Sequence, residues 1–186
     1  EVRSEESKKQ AHLLNQRRLA ADREKQLEIE RASAASERKI LNNILPEEIT
    51  TRLIKGEKPI ADHFDNVSIL FMDIVDFTPL ASRITAQQLV HLLNAIFSAA
   101  DGVMREFGLE KIKTIGDSYM CAGGLPTPNT SNPKDVVLAA KQITKWVNDK
   151  NEERQSQGLQ KWEIRIGIHT GELIAGVIGR KKFAYD

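Results

Sequence analysis

Two aspartates are the residues of this sequence best placed to do chemistry. Asp73 closes the apolar run VSILFMD (67–73), and Asp117 follows Gly116 at a turn signal between two further strand-like runs. If those strands are sheet neighbours, both carboxylates reach one end of the sheet. Paired carboxylates at a shared opening suit Mg²⁺, which prefers hard oxygens and takes one or two protein carboxylates plus substrate phosphates. Two such ions, about 3.5–4 Å apart, hold the attacking and leaving oxygens of a phosphoryl displacement in line. Taken singly, Asp73 reads equally well as a solvated strand-end carboxylate, and Asp117 as a turn former. The residues after Asp73 favour the chemical reading. Thr78-Pro79 reads as a helix start, with Thr as the cap and Pro in the first turn. Free N–H groups at such a start face a polyphosphate well. No glycine-lysine phosphate loop is present, which excludes that chemistry. His12, His63 and His91 are scattered and form no metal-ligand spacing, and His169 reads as structural.

The elements that must position these groups alternate between strand and helix. After the first strand, Thr85 to Phe107 reads as a long helix, with Leu89, Leu92, Leu93, Ile96, Ala100, Val103, Met104 and Phe107 on one face. Gly108 ends it. Leu109 to Ile115 and Ser118 to Ala122 read as a hairpin about Gly116-Asp117. Asn132 with Pro133 caps a second helix reaching about Glu153, with Val136, Ala140, Ile143 and Val147 inward. Trp162 to His169 alternates apolar and polar, Gly171 is expected to turn the chain, and Leu173 to Ile178 to return. The order predicts an α+β fold: a ferredoxin-like, palm-like split βαβ arrangement, with an antiparallel sheet and helices on one face. Trp146, the methionines and most phenylalanines fit its core.

Composition sets the outer bounds. The 186 residues carry 27 Lys and Arg against 26 Asp and Glu, a balance that gives no footprint for nucleic acid or an anionic membrane. The single cysteine, Cys121, excludes an intrachain disulfide. No apolar run approaches the ~18 residues of a membrane span. Charge divides the chain, with 18 charged side chains in the first 39 positions against 35 in the remaining 147. That first segment lacks Gly, Pro and aromatics, so it predicts a long helix. Leu13, Ala20, Leu27, Ala34 and Leu41 recur every seven residues, whereas the companion line is polar at Gln16, Arg23, Glu30 and Glu37. A strong coiled coil is apolar on both lines. The segment reads either as a weakly pairing parallel helix or as a solvated linker. Pro46 marks the junction, which gives a stalk over 1–45 and a globular domain over 46–186, with a short helix from Pro46 to about Lys55.

Three motifs then carry a resemblance. FMDIVDFTPLAS (71–82), LEKIKTIGDSYMCAGGLP (109–126) and RIGIHTGELIAGVIG (165–179) resemble the core motifs of the class III nucleotidyl cyclases, in order and spacing. RKILNNILPEEI (38–49) is similar to the signalling helix and transducer segment that precede many such domains. The resemblance implies cyclisation of a nucleoside triphosphate, in which the 3′ hydroxyl attacks the α-phosphate and pyrophosphate leaves. It implies that Asp73, Asp117 and the backbone carbonyl of Ile74 hold two divalent ions, Mg²⁺ or Mn²⁺. The amides about Phe77 and Thr78 match the phosphate loop. Asp76 stands where many members carry Gly and is expected to face solvent. Lys113 and Asp186 match the purine-recognition pair of adenylate cyclases. Asp accepts from adenine N6 and Lys donates to N1, whereas guanine presents the opposite polarity. A site built for one polarity rejects the other strongly.

The resemblance also implies a homodimer with ATP bound at the subunit interface, because metal and base residues serve opposite sites of a head-to-tail pair. The expected setting is a cytoplasmic domain whose parent can be membrane-anchored. The chain is expected to be cut before the family segment that supplies an Asn and an Arg to the transition state, and so to be weakly active alone. Competing readings are a guanylate cyclase and a non-catalytic dimerising or regulatory module. A diguanylate cyclase of the related palm fold lacks its GGDEF-type hairpin here.

Overall fold

The computed structural model describes residues 2–179 and 183–186. The chain divides into two compact units, Glu1–Ile44 and Leu45–Asp186. The first is a single helix, α1 (Val2–Asn42). Its seam positions are open to solvent, Leu13 and Leu27 being about half exposed (49% and 47%). The helix has no breaker and is charged all round, so propensity rather than packing accounts for it.

The second unit runs α2 (Glu47–Ile54), β1 (Ala61–Ile74), α3 (Phe77–Ala81), α4 (Ala86–Glu106), β2 (Glu110–Ile115), β3 (Ser118–Gly123), α5 (Asn132–Ser156), β4 (Ile164–Ile178) and β5 (Ala184–Tyr185). The sheet order is β2-β3-β1-β4-β5, every pair antiparallel. This is the expected α+β, ferredoxin-like layout. Strand alternation sorts the side chains. Leu70, Met72 and Ile74 of β1, with Tyr119 and Cys121 of β3, face α4 and α5 and form the main core. α4 contributes Leu92, Ile96, Ala100, Val103 and Met104 to it, on the stripe that helical spacing predicts. Each such burial is worth roughly 1.5–3 kcal/mol. Thr85 closes α4 with a capping box to Gln88, and Gly108 at φ 63° ends it.

A second cluster joins Leu45 and Ile49, at the start of the unit, to Ile60, Phe64, Val67, Ala122, Leu125, Ala175 and Tyr185. α2 therefore lies with the reverse side of the sheet, while α4, α5 and, through Phe77 and Leu80, α3 pack on the main core. The remainder of that reverse face is less covered, and Phe71 is 44% exposed there.

Two local expectations are corrected. Gly171 does not turn the chain. β4 runs unbroken through it, because β1 begins at Ala61 and its first half pairs with Leu173–Gly176. Gly171 sits opposite Val67, beside a bulge between Phe64 and Val67, with no left-handed φ. Asn132 is not the cap of α5. It is the first helical residue, and its buried amide donates to the carbonyls of Asn66 (3.1 Å) and Asn129 (2.9 Å) and accepts from Ser68 (2.6 Å). Ala140 packs against the core as expected, with Ala139 fully buried beside it.

Candidate active site

Asp73 is the second-last residue of β1, on the reverse face, and the ladder sets it opposite Arg165 of β4. Arg165 Nε donates to Asp73 Oδ2 at 2.8 Å, and a terminal guanidinium nitrogen closes on the same oxygen. Ser118, at the start of β3, donates its hydroxyl to Asp73 Oδ1 at 3.2 Å. Gly116, at φ 62°, makes the tight β2–β3 turn that brings Asp117 to the same place. The carboxyls of Asp73 and Asp117 come within hydrogen-bond reach of each other. The two residues singled out by chemistry, 44 positions apart in sequence, therefore converge at one end of the sheet.

Their electrostatics diverge. The Arg165 guanidinium, helped by hydrogen bonds from Asp117 and Ser118, holds the Asp73 carboxyl below the usual carboxylate range. Burial and then the neighbouring Asp73 push Asp117 up, although its own backbone N–H and that of Ile74 oppose the shift. A proton added to the pair resides on Asp117, while Asp73 stays ionised. Ile74 thus lies directly against the pair.

Lys113 lies on the same reverse face, its β2 position opposite Met120 of β3, which in turn is opposite Phe71 of β1. Its Nζ is 2.6 Å from Asp186 Oδ1. The residues 73 positions apart that were matched to purine recognition are thus an ion pair. Asp186 is placed by β5, its backbone exchanging two hydrogen bonds with Gly176 (2.9 and 3.0 Å).

Phe77 and Thr78 open α3, three residues beyond Ile74. The cap is Asp76, not Thr78. Asp76 takes a left-handed φ of 53°, the conformation glycine adopts freely, and makes no side-chain cap bond. It is exposed, as expected. The cap residue therefore leaves the first N–H groups of α3 without a side-chain acceptor of its own.

Arg165 and Ser118 were missed by sequence reasoning. Arg165 fell in the polar phase of an alternating strand, indistinguishable from Glu163 or His169. Only the β1–β4 register, which pairs it with Asp73, distinguishes it. Among the described residues no group of three or more His, Cys, Asp or Glu side chains is poised to hold a metal. Two carboxylates in contact, with one cation beside them, form a hard-oxygen donor set that matches the one or two carboxylates Mg²⁺ takes from protein.

Two acids thus converge at one end of an antiparallel sheet, with a Lys–Asp ion pair elsewhere in the same unit. Residues 60–186 match the family described as adenylate and guanylate cyclase catalytic domain, and the chain belongs to that family. It is 38% identical over 147 residues to the membrane guanylyl cyclase of Dictyostelium discoideum, covering 79% of this chain and 10% of that protein. It is also 38% identical over 148 residues to an adenylate cyclase of Mycobacterium tuberculosis, covering 79% of this chain and 32% of that protein. The crystal structure of the adenylyl cyclase CyaB from P. aeruginosa superposes with a TM-score of 0.63 at 25% identity, over 68% of this chain and 66% of that one. The chain thus spans a third or less of these curated relatives, which include cyclases of both nucleotide types. No helix among the described residues is long and apolar enough to cross a membrane.

Proposed function

We propose that this domain is an adenylate cyclase, converting ATP to 3′,5′-cyclic AMP and pyrophosphate. The observation that carries the choice of base is the Lys113–Asp186 pair at 2.6 Å. It offers one acceptor and one donor at a common edge, the complement of adenine N6–H and N1. Guanine, with O6 and N1–H on that edge, leaves both groups facing like partners, which a site built from hydrogen bonds rejects.

Asp73, Asp117 and the Ile74 carbonyl would hold the divalent ions, which supply neutralisation of the triphosphate and of the charge that develops on the departing oxygen. The chain's own residues prepare that site. Arg165 keeps Asp73 ionised and stands beside it, ready to turn toward phosphate oxygens when a cation takes its place. Ser118 fixes the Asp73 carboxyl from the other side. The first amides of α3, at Phe77 and Thr78, face the β- and γ-phosphates. The 3′ oxygen bonds to the α-phosphorus, the bond from that phosphorus to the bridging oxygen breaks, and pyrophosphate leaves with the electron pair.

Two copies of the chain supply each site, the acids from one and the Lys113–Asp186 pair from the other. The helix over 1–45 pairs in parallel with its copy as a signalling stalk, and 46–186 is the catalytic domain. Turnover of ATP and GTP by the full-length protein tests the reading. ATP is expected to be preferred, and Lys113→Glu with Asp186→Cys to shift the preference toward GTP. A wild-type preference for GTP refutes it.

A further inference from the structure

Asp186 reaches Lys113 from a short piece of backbone gripped on two sides. On one side Gly176 exchanges both backbone hydrogen bonds with it. Gly176 is itself wedged against the chain entering β1: a Cβ there would lie 2.5 Å from the Ile60 carbonyl oxygen and 3.1 Å from Ala61 Cα. On the other side the grip is the preceding residue. Tyr185 is 3% exposed and shares the second buried cluster with Leu45 and with Ile49 of α2, the latter fully buried. Its hydroxyl is buried and has no hydrogen-bond partner among the described residues. The ring is therefore held by shape, not by a polar contact. α2 in turn is tied to the sheet by Arg52, which bonds Glu57 (2.6 Å) and Asp62 of β1.

Adjacent residues of a strand point to opposite sides, so the direction of one side chain fixes that of the next. A Tyr185 ring locked into the α2 cluster fixes the direction of the Asp186 carboxylate. We infer that Tyr185 is a positioning residue for base recognition, and that α2, through the cluster it shares with the Tyr185 ring, sets how Asp186 meets Lys113. The inference rests on the reading of Lys113 and Asp186 as the base-recognition pair. It adds a regulated element to that reading. A displacement of α2 alters purine discrimination and nucleotide affinity, while the Asp73–Asp117 end of the sheet, built on β1, β3 and β4, keeps its geometry.

The test compares ATP and GTP turnover by the full-length protein and its variants, with KM and kcat resolved and thermal unfolding measured on each. Asp186→Ala is expected to lower the ATP-to-GTP ratio of kcat/KM at least roughly tenfold, the scale of one lost buried hydrogen bond. Tyr185→Leu and Ile49→Ala are expected to lower it several-fold through a raised KM for ATP, with kcat nearly unchanged. Tyr185→Phe, which keeps the ring and removes only the unpartnered hydroxyl, is expected to behave as wild type. Should Tyr185→Leu not fold, Ile49→Val carries the same comparison from the α2 side. An unchanged ratio in Tyr185→Leu and Ile49→Ala beside a collapsed one in Asp186→Ala overturns the positioning role and leaves the base reading standing. A loss in kcat alone, or a Phe variant as impaired as the Leu variant, also overturns it. An unchanged ratio in Asp186→Ala overturns both.

Discussion

Replacing Asp117 by asparagine is expected to stabilise the metal-free protein while abolishing its response to Mg²⁺. The reason is the unequal pair of carboxyls. Asp117 is raised above its ordinary value of 3.8 by burial and by Asp73, whereas Asp73 is lowered by Arg165. For Asp117 the unfolded chain loses its proton first as pH rises past 3.8. The folded state therefore binds more protons in the window up to the raised value, and stability falls with increasing pH across it. Above that window the full penalty remains. For Asp73 the sign reverses, its contribution being present above 3.8 and lost as pH falls through the lowered folded value. Two unit charges at 4 Å in an effective dielectric of 20 interact by about 4 kcal/mol. Here both groups are only partly buried and Arg165 stands beside them, so the penalty falls toward the surface-pair scale of about 1 kcal/mol or less. Asp117→Asn removes the charge and keeps the shape.

Urea unfolding in EDTA at pH 7 should show the variant more stable than wild type by up to about 1 kcal/mol, the difference shrinking toward zero near pH 4. Saturating Mg²⁺ should reverse the order. An ion at 100 times its dissociation constant adds about 2.7 kcal/mol to the protein that binds it, and little to one lacking half the acidic pair. A variant no more stable than wild type in EDTA refutes the repulsion. A variant with an undiminished Mg²⁺ response refutes the metal assignment itself.

The remaining predictions concern the neighbouring groups. Arg165→Ala is expected to bring Asp73 back toward its ordinary value and to tighten Mg²⁺ binding in the absence of nucleotide, since the guanidinium and the ion compete for one carboxylate; a carboxylate-resolved titration by NMR, with and without Mg²⁺, reads both. Asn132→Ala should cost roughly 2–4 kcal/mol in urea unfolding, because it empties a fully buried side-chain site and removes its bonds to Ser68 and to the Asn66 and Asn129 carbonyls. Gly124→Ala should be comparably damaging: its φ is 93° and the added Cβ would lie 2.7 Å from the Asn132 amide nitrogen. The Cys121 thiol, buried and pushed up to about 12, should resist thiol reagents at pH 8 until the protein unfolds.

The sequence made some of this legible and hid the rest for identifiable reasons. The helical stripe of α4 and the Gly116-Asp117 turn were readable because each is a local signal, a 3.6-residue period or a residue suited to positive φ. The convergence of Asp73 with Asp117 needed only that β1 and β3 be neighbours. Arg165 could not be found that way. Its role depends on the register of a ladder between segments 92 positions apart, which no local pattern encodes. Gly171 misled for a related reason. Inside a strand, glycine marks a turn or a bulge equally, and the bulge that decides the matter lies on the partner strand, between Phe64 and Val67. Asn132 carried the composition of a cap, and only the tertiary structure shows its amide joining Ser68 on β1 to the Asn129 loop.

Two ion pairs, Asp73 with Arg165 and Lys113 with Asp186, have a consequence for ligand affinity. Asp73 is matched by Arg165 and Asp186 by Lys113, so each base already satisfies the acid that a ligand would need. Among the described residues Asp117 has no ion pair of its own, although Arg165 feels its charge, and it is the member whose pKa is raised. On the proposed reading, a metal that enters would exchange with Arg165 for Asp73, and a purine would insert its hydrogen bonds into a Lys113–Asp186 pair already formed. Both events swap one charged contact for another, so the net gain per contact stays small, on the scale of about 1–3 kcal/mol for a hydrogen bond to a charged group. Discrimination is then favoured over tightness. The wrong base breaks the Lys113–Asp186 contact without replacing it, whereas the right one merely rearranges it. On the proposed reading, a domain built this way would hold its nucleotide loosely and distinguish the base sharply.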